Sequence, residues 1–218
     1  MTKEEVRQNV IDRGIIPVLR VSSPSLALEA AEAVREGGIN LLEITMTIPN
    51  AVDVIRKLVS SMGNNVIVGA GTVLDERSAQ QCLDSGAEFL VSPIFDAGMV
   101  EFANRSGKLV MAGALTPTEV VRAWNAGSDF IKVFPCGNLG GPAYIKALKA
   151  PLPQIPLVPT GGVTLSTAGA FIKAGASALG VGNDLISESE LLSGNHAHIT
   201  NVARQFVSVV REAKVNAG

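Results

Sequence analysis

The stretch Asp129-Phe130-Ile131-Lys132-Val133-Phe134-Pro135 decides how the rest of this chain is read. Its apolar residues are the β-branched and aromatic types that favour a strand, and a proline closes it. One lysine stands in the middle. Lysine is almost never fully buried without a partner, and burial disfavours its ammonium form relative to the neutral, nucleophilic amine. Such an amine attacks carbonyls to form a Schiff base. The plain alternative is a lysine near a strand end that snorkels to solvent, so the reading turns on what surrounds this strand.

Working outward, short β-rich apolar runs alternate with stretches whose apolar residues recur at helical spacing. The runs predict eight strands, over 15–20, 41–45, 66–70, 89–92, 109–112, 130–134, 156–159 and 178–181. Helices are predicted between them over 25–36, 51–61, 76–85, 97–106, 118–126, 142–148 and 167–174, with an opening helix over 3–12 and a closing one over 199–214. Gly37-Gly38, Gly86, Gly107, Gly127 and Gly175 follow helical runs, where a C-terminal cap needs a left-handed residue. Ser23-Pro24 and Thr116-Pro117 supply an N-cap and a first-turn proline. Strand–helix alternation of this kind implies parallel strands with right-handed crossovers, and eight units close into a (β/α)8 TIM barrel. The expected fold is one barrel domain over 1–218 with an extra N-terminal helix. A doubly wound open sheet would want a Gly-x-Gly-x-x-Gly turn after the first strand, and Val21-Ser22-Ser23-Pro24-Ser25 does not supply one.

The 218 residues are 47% apolar and 17% charged, which points to a sizeable core. A net charge of −2 with scattered basic residues argues against a nucleic-acid surface. The longest uncharged stretch, 150–172, holds Pro151, Pro153, Pro156, Pro159, Gly161 and Gly162, so no membrane-spanning helix is expected. The opening residues are charged and lack the apolar core of an export leader. A cytoplasmic setting with Cys82 and Cys136 as free thiols is therefore expected.

In such barrels the chemistry sits at the C-terminal ends of the strands. Strand alternation puts Phe130, Lys132 and Phe134 on one face, and likewise groups Ile16, Val18 and Arg20, and Leu41, Glu43 and Thr45. One arginine, one carboxylate and one lysine can thus meet inside the mouth. A 2-keto acid has a ketone for the lysine and a carboxylate for an arginine. Once an iminium forms, it draws electrons from a carbon–carbon bond two atoms away, and Glu43 can move the protons. A structural ion pair is the alternative for Glu43. The turns Pro159-Thr160-Gly161-Gly162 and Gly180-Val181-Gly182-Asn183 follow the seventh and eighth predicted strands, where barrels bind phosphate. A short helix over 185–192, capped by Asn183 or Asp184, is expected beside them. Asp184 would repel a phosphate. His196 and His198 have no third ligand at useful spacing and are read as loop residues, so neither a metal nor another cofactor is expected.

Assembled, these segments resemble the 2-keto-3-deoxy-6-phosphogluconate aldolase family, which includes 4-hydroxy-2-oxoglutarate aldolases. The likeness rests on Gly14-Ile15-Ile16-Pro17-Val18-Leu19-Arg20, Leu42-Glu43-Ile44-Thr45, Val68-Gly69-Ala70-Gly71-Thr72-Val73, residues 130–135 and residues 159–163. It implies a metal-independent class I lyase, usually a homotrimer, placed in the Entner–Doudoroff pathway. It also implies Lys132 as Schiff-base residue and Glu43 as general acid/base. Thr72, Pro93 and Phe134 match pyruvate-pocket positions, and Thr160, Gly161 and Gly162 match the phosphate-side loop, with Gly182 beside them. Thr47 stands where some members carry an arginine that helps hold the carboxylate, and Arg20 is expected to supply that cation. Asn183 stands where a serine often donates to phosphate. The expected reaction is reversible cleavage of 2-keto-3-deoxy-6-phosphogluconate to pyruvate and glyceraldehyde 3-phosphate. The galactonate epimer and 4-hydroxy-2-oxoglutarate are the alternatives within the class, and a barrel that only binds a phosphometabolite is the alternative outside it.

Overall fold

The computed structural model describes residues 1–63 and 66–216. Its core is an eight-stranded parallel sheet: β1 (Ile15–Leu19), β2 (Leu41–Thr45), β3 (Ile67–Gly71), β4 (Phe89–Val91), β5 (Leu109–Ala114), β6 (Phe130–Val133), β7 (Leu157–Pro159) and β8 (Leu179–Val181). Consecutive strands pair from β1 to β7, β8 pairs with β1, and the bridge Thr160↔Gly180 joins β7 to β8. The sheet therefore closes into the expected (β/α)8 TIM barrel. The helices are α1 (Lys3–Arg13), α2 (Pro24–Glu36), α3 (Ala51–Met62), α4 (Glu76–Asp84), α5 (Ala97–Arg105), α6 (Pro117–Asn125), α7 (Pro142–Lys149), α8 (Leu165–Lys173), α9 (Glu188–Leu192) and α10 (His196–Val215). None of the described helices is long and apolar enough to cross a membrane.

The period-2 alternation of the strands separates two apolar layers. Outward residues such as Leu19, Leu42, Ile44, Val68, Val110, Ile131 and Val133 pack against the helices. Inward residues Ile16, Leu41, Ile67, Phe89, Val91, Leu109, Met111, Phe130 and Val158 form a second cluster, joined by Val6 and Val10 of α1. The N-terminal helix thus stoppers the barrel at the N-terminal ends of the strands. It is held there by α10, whose Lys214 ammonium donates to the carbonyls of Ile11 and Asp12 at the end of α1.

Local capping follows the sequence. Ser23 and Thr116 accept from Leu26 and Glu119 backbone N–H groups ahead of Pro24 and Pro117. Gly38, Gly86, Gly107, Gly127 and Gly175 all have positive φ where helices end. Two expectations need correction near the C-terminus. Leu185 and Ile186 are not helical: both N–H groups donate to the Gly182 carbonyl in a turn, and α9 starts only at Glu188, capped by Ser187. His196 and His198 are not in a loop but in the first turn of α10, where His196 Nε2 lies 3.1 Å from Glu29.

Candidate active site

Lys132 and Glu43 come from β6 and β2, four strands apart in the eight-stranded ring and so on opposite walls. Their side chains cross the interior and meet, with Lys132 Nζ 3.4 Å from Glu43 Oε1 and both side chains about 95% or more shielded from solvent. A buried pair of this kind is weak evidence for stability, because desolvating two charges offsets much of their attraction. The Lys132 ammonium also sits 5.7 Å from the centroid of the Phe134 ring, a cation–π distance.

Glycines make the room for this pair. Glu43 is in register with Gly69 of β3, and Lys132 with Gly113 of β5. A Cβ on Gly71 would lie 2.0 Å from Glu43 Oε1, and one on Gly113 would lie 2.2 Å from the Pro93 carbonyl carbon. Gly71 therefore leaves the space that Glu43 occupies. Gly113 lets the loop after β4 fold over the end of β5, where its N–H donates to Ile94.

Beside the Phe134 ring, a cleft of about 210 Å³ is lined by Val18, Arg20, Phe134, Thr160, Gly161, Gly162, Val163, Gly180, Gly182, Asn183 and Asp184, with neither Lys132 nor Glu43 among its walls. Most of the residues singled out in the sequence thus converge on one opening. Gly161 and Gly162 both have positive φ, and Gly162 packs so closely on Gly137 that a Cβ on either would lie within 3 Å of the other's backbone. Thr160 is buried, and Gly180 faces its hydroxyl. Asp184 shares this cleft with the glycines, so one carboxylate faces the anion that the loops are expected to hold. Asn183 lies in the turn rather than at a helix cap.

Thr47 is outside that cleft. It lines an adjoining lobe of about 500 Å³ together with Arg20, Val21, Ser22, Asn183, Ser187 and Glu188. Thr72 and Pro93 line neither space; they stand at the ends of β3 and β4, partly buried. Thr72 has φ 59, a left-handed conformation rare for a β-branched residue, and it turns the chain out of β3. Two lobe residues were missed in the sequence. Glu188 accepts from both the N–H and the hydroxyl of Ser22, and these bonds hold its carboxyl below the ordinary carboxylate range. Ser22 and Glu188 are 166 residues apart, so no local pattern could pair them. Thr45 is buried and donates to the Leu19 carbonyl. Among the described residues no group of three or more His, Cys, Asp or Glu side chains could hold a metal ion.

Comparison with known proteins points the same way. Residues 6–202 match the family described as "Aldolase: KDPG and KHG aldolase". The 2-dehydro-3-deoxy-6-phosphogalactonate aldolase of Escherichia coli (strain K12) is 33% identical over 200 residues, covering 91% of this chain and 95% of that one. The 2-dehydro-3-deoxy-phosphogluconate aldolase of Treponema pallidum (strain Nichols) is 30% identical over 196 residues, covering 90% and 93%. Among solved structures, the KDPG aldolase of Legionella pneumophila with pyruvate captured as a covalent carbinolamine superposes with a TM-score of 0.84 at 25% identity, covering 91% of this chain and 96% of that one.

Proposed function

The chain belongs to the KDPG and KHG aldolase family, and we propose that it is a class I aldolase for a phosphorylated 2-keto-3-deoxy sugar acid. In this reading one barrel domain cleaves 2-keto-3-deoxy-6-phosphogluconate reversibly to pyruvate and glyceraldehyde 3-phosphate, with no metal or other cofactor. The observation that carries it is the shielded Lys132–Glu43 contact at 3.4 Å across the barrel mouth.

Proton transfer within the pair yields the neutral Lys132 amine and the Glu43 carboxylic acid. The amine attacks the C2 ketone, a proton moves from nitrogen to oxygen, and a carbinolamine results. Glu43 protonates its hydroxyl, which leaves as water, and the iminium forms. Glu43, now a carboxylate, takes the proton of the C4 hydroxyl. The C3–C4 bond breaks, its electron pair passes into the iminium to give an enamine, and the aldehyde departs. Glu43 then returns the proton to C3, and water releases pyruvate from Lys132. One carboxylate thus serves as acid and base in turn. Arg20 and Thr72 would orient the keto-acid carboxylate beside Pro93 and Phe134. Thr160, Gly161, Gly162, Gly182 and Asn183 would hold the phosphate.

The galactonate epimer is the second reading, favoured by the Escherichia coli relative. We further place the protein in the cytoplasm, in the Entner–Doudoroff pathway, as a homotrimer. The exposed apolar side chains Leu74, Ile94 and Leu139, which follow β3, β4 and β6 at the mouth end, support self-association.

The test is pyruvate release from the gluconate and galactonate phosphates and from 4-hydroxy-2-oxoglutarate by wild type and Lys132→Ala, together with borohydride trapping by pyruvate. Cleavage and a trapped adduct in wild type only are expected, and the preferred compound identifies the substrate. Equal cleavage by both proteins would sink the role of Lys132. No adduct and no cleavage would favour a binding barrel.

A further inference from the structure

Apart from Arg20 and Asn183, the walls of the lobe beside the mouth are not used by the mechanism above. Its polar walls can be assigned as donors or acceptors from the hydrogen bonds they already make. A threonine hydroxyl carries one hydrogen, and a carbonyl only accepts. Thr45 Oγ1 lies 2.8 Å from the Leu19 carbonyl oxygen, so its single hydrogen points there. Thr45 and Thr47 Oγ1 are also 2.8 Å apart, and the hydrogen in that contact must therefore come from Thr47. Thr47 is left with lone pairs alone toward the lobe.

Glu188 is fixed in the same way. Both Ser22 donors bind its Oε1, and Oε2 has no protein donor among the described residues. The lobe thus presents two preset acceptors, Thr47 and Glu188, beside the Arg20 guanidinium. Arg20 lines both spaces, while Glu188 lines only the lobe, so on the lobe side the carboxylate disfavours a second anion and the arginine disfavours a cation. Neutral groups that donate hydrogen bonds suit both, and hydroxyls are what the aldehyde half of a sugar acid carries. The lobe shares Arg20 and Asn183 with the cleft, and the cleft's Phe134 ring lies 5.7 Å from Lys132 Nζ, which gives a substrate held at Lys132 a route past Phe134 toward the lobe.

We propose that this lobe is a hydroxyl-reading subsite in which Thr47 is the specificity-determining acceptor for the hydroxyl next to the aldehyde carbon. Where an arginine at this position would hold a carboxylate, Thr47 takes a hydrogen from the substrate. Its orientation comes from the buried Thr45, and Ser22 sets Glu188 beside it.

This inference rests on the aldolase reading, and condensation separates the two. Pyruvate is condensed with glyceraldehyde 3-phosphate and with 3-oxopropyl phosphate, the analogue lacking that hydroxyl, and the ratio of the two kcat/KM values is measured. Wild type should prefer the hydroxylated aldehyde. Thr47→Val, isosteric but without the acceptor, should lower the ratio about tenfold, the upper end of one neutral hydrogen bond, and Thr47→Ser should restore it. A ratio in Thr47→Val equal to that of wild type overturns the subsite, as does a wild type with no preference. Should Thr47→Val fail to fold, Glu188→Ala is read by the same ratio, with the same fall expected. If wild type condenses neither aldehyde and traps no pyruvate, the aldolase reading itself fails and takes this one with it.

Discussion

The two ends of the barrel interior are filled by opposite kinds of residue. Toward the N-terminal ends of the strands stand Ile16, Leu41, Ile67, Phe89, Leu109 and Phe130, with Val6 and Val10 of α1 beneath them. Toward the C-terminal ends, the same inward positions are Glu43, Lys132, Gly71, Gly113 and Gly180. The alternation of each strand runs unbroken through both, so the difference lies in side-chain volume. A close-packed interior has few voids large enough for a ligand. Here the Cβ atoms left out at Gly71, Gly113 and Gly180 make room for Glu43, for the loop after β4 and for Thr160, and two long polar side chains meet across the interior. On the proposed function the apolar end serves stability and the glycine end serves chemistry, and substitutions should separate them.

The largest expected effect belongs to the glycine end. Glu43→Gln keeps size and shape but cannot exchange a proton, and kcat for aldol cleavage should fall by about 10²–10⁴. Slow trapping of pyruvate on Lys132 should persist, since the amine is still present. Turnover by Glu43→Gln at the wild-type rate would reduce the Lys132–Glu43 contact to an ion pair and erase the distinction between the ends.

A finer test uses two positions of β3. At Gly71 a Cβ would lie 2.0 Å from Glu43 Oε1, whereas at Gly69 it would lie 2.3 Å from the Phe89 ring. Gly71→Ala should push the carboxylate aside and cost about 10²-fold in kcat, as a misplacement of about 1 Å can, with little change in Tm. Gly69→Ala overpacks the apolar layer, which typically costs about 1–3 kcal/mol. For a chain of this size that lowers Tm by about 2–4 °C per kcal/mol, with kcat largely retained. Measuring kcat and Tm on both variants decides it: the reverse pattern would mean that the boundary between the two ends is drawn in the wrong place.

That boundary was only half legible in the sequence. Phe130 and Lys132, and Leu41 and Glu43, showed their shared faces through the period of two, so the inward Lys132 and Glu43 were legible. The caps at Ser23-Pro24 and Thr116-Pro117 set the helix starts for the same reason, since each is a local pattern. Arg20, expected to meet Lys132 and Glu43, is exposed and lines the cleft and lobe instead. The space-making role of Gly69, Gly71 and Gly113 was not legible, because what each glycine avoids lies on another strand. Nor was the stopper: α1 is polar along most of its length, and only Val6 and Val10 are buried. The Leu185-Ile186 pair looked helical because it is apolar, yet it is buried through a turn whose hydrogen bonds converge on the Gly182 carbonyl.

The smallest effect concerns Cys136, four residues beyond Lys132 and equally buried. Both side chains are nucleophiles only when deprotonated, but their surroundings differ. Lys132 meets a carboxylate inside the barrel. Cys136 packs in the outer apolar layer, its nearest polar contact a distant 3.8 Å approach to the Gly141 carbonyl, and burial pushes its thiol up to about 11. Cys82, in the same layer, is pushed up to about 11 by burial as well. These shifts turn into pH dependence with a definite sign. Below the ordinary thiol value of 9.0, both states are protonated and the contribution of each cysteine is whole. Above it, the unfolded chain releases protons that the folded one keeps, so stability is lost progressively between about pH 9 and pH 11. Denaturant unfolding across that range should show a decline that Cys82→Ala/Cys136→Ala flattens, and thiol-directed reagents should leave the folded protein unmodified at pH 8. Rapid modification of Cys136 in the native state would place it at the mouth with Lys132, and the outer layer could no longer be treated as closed above the strand ends.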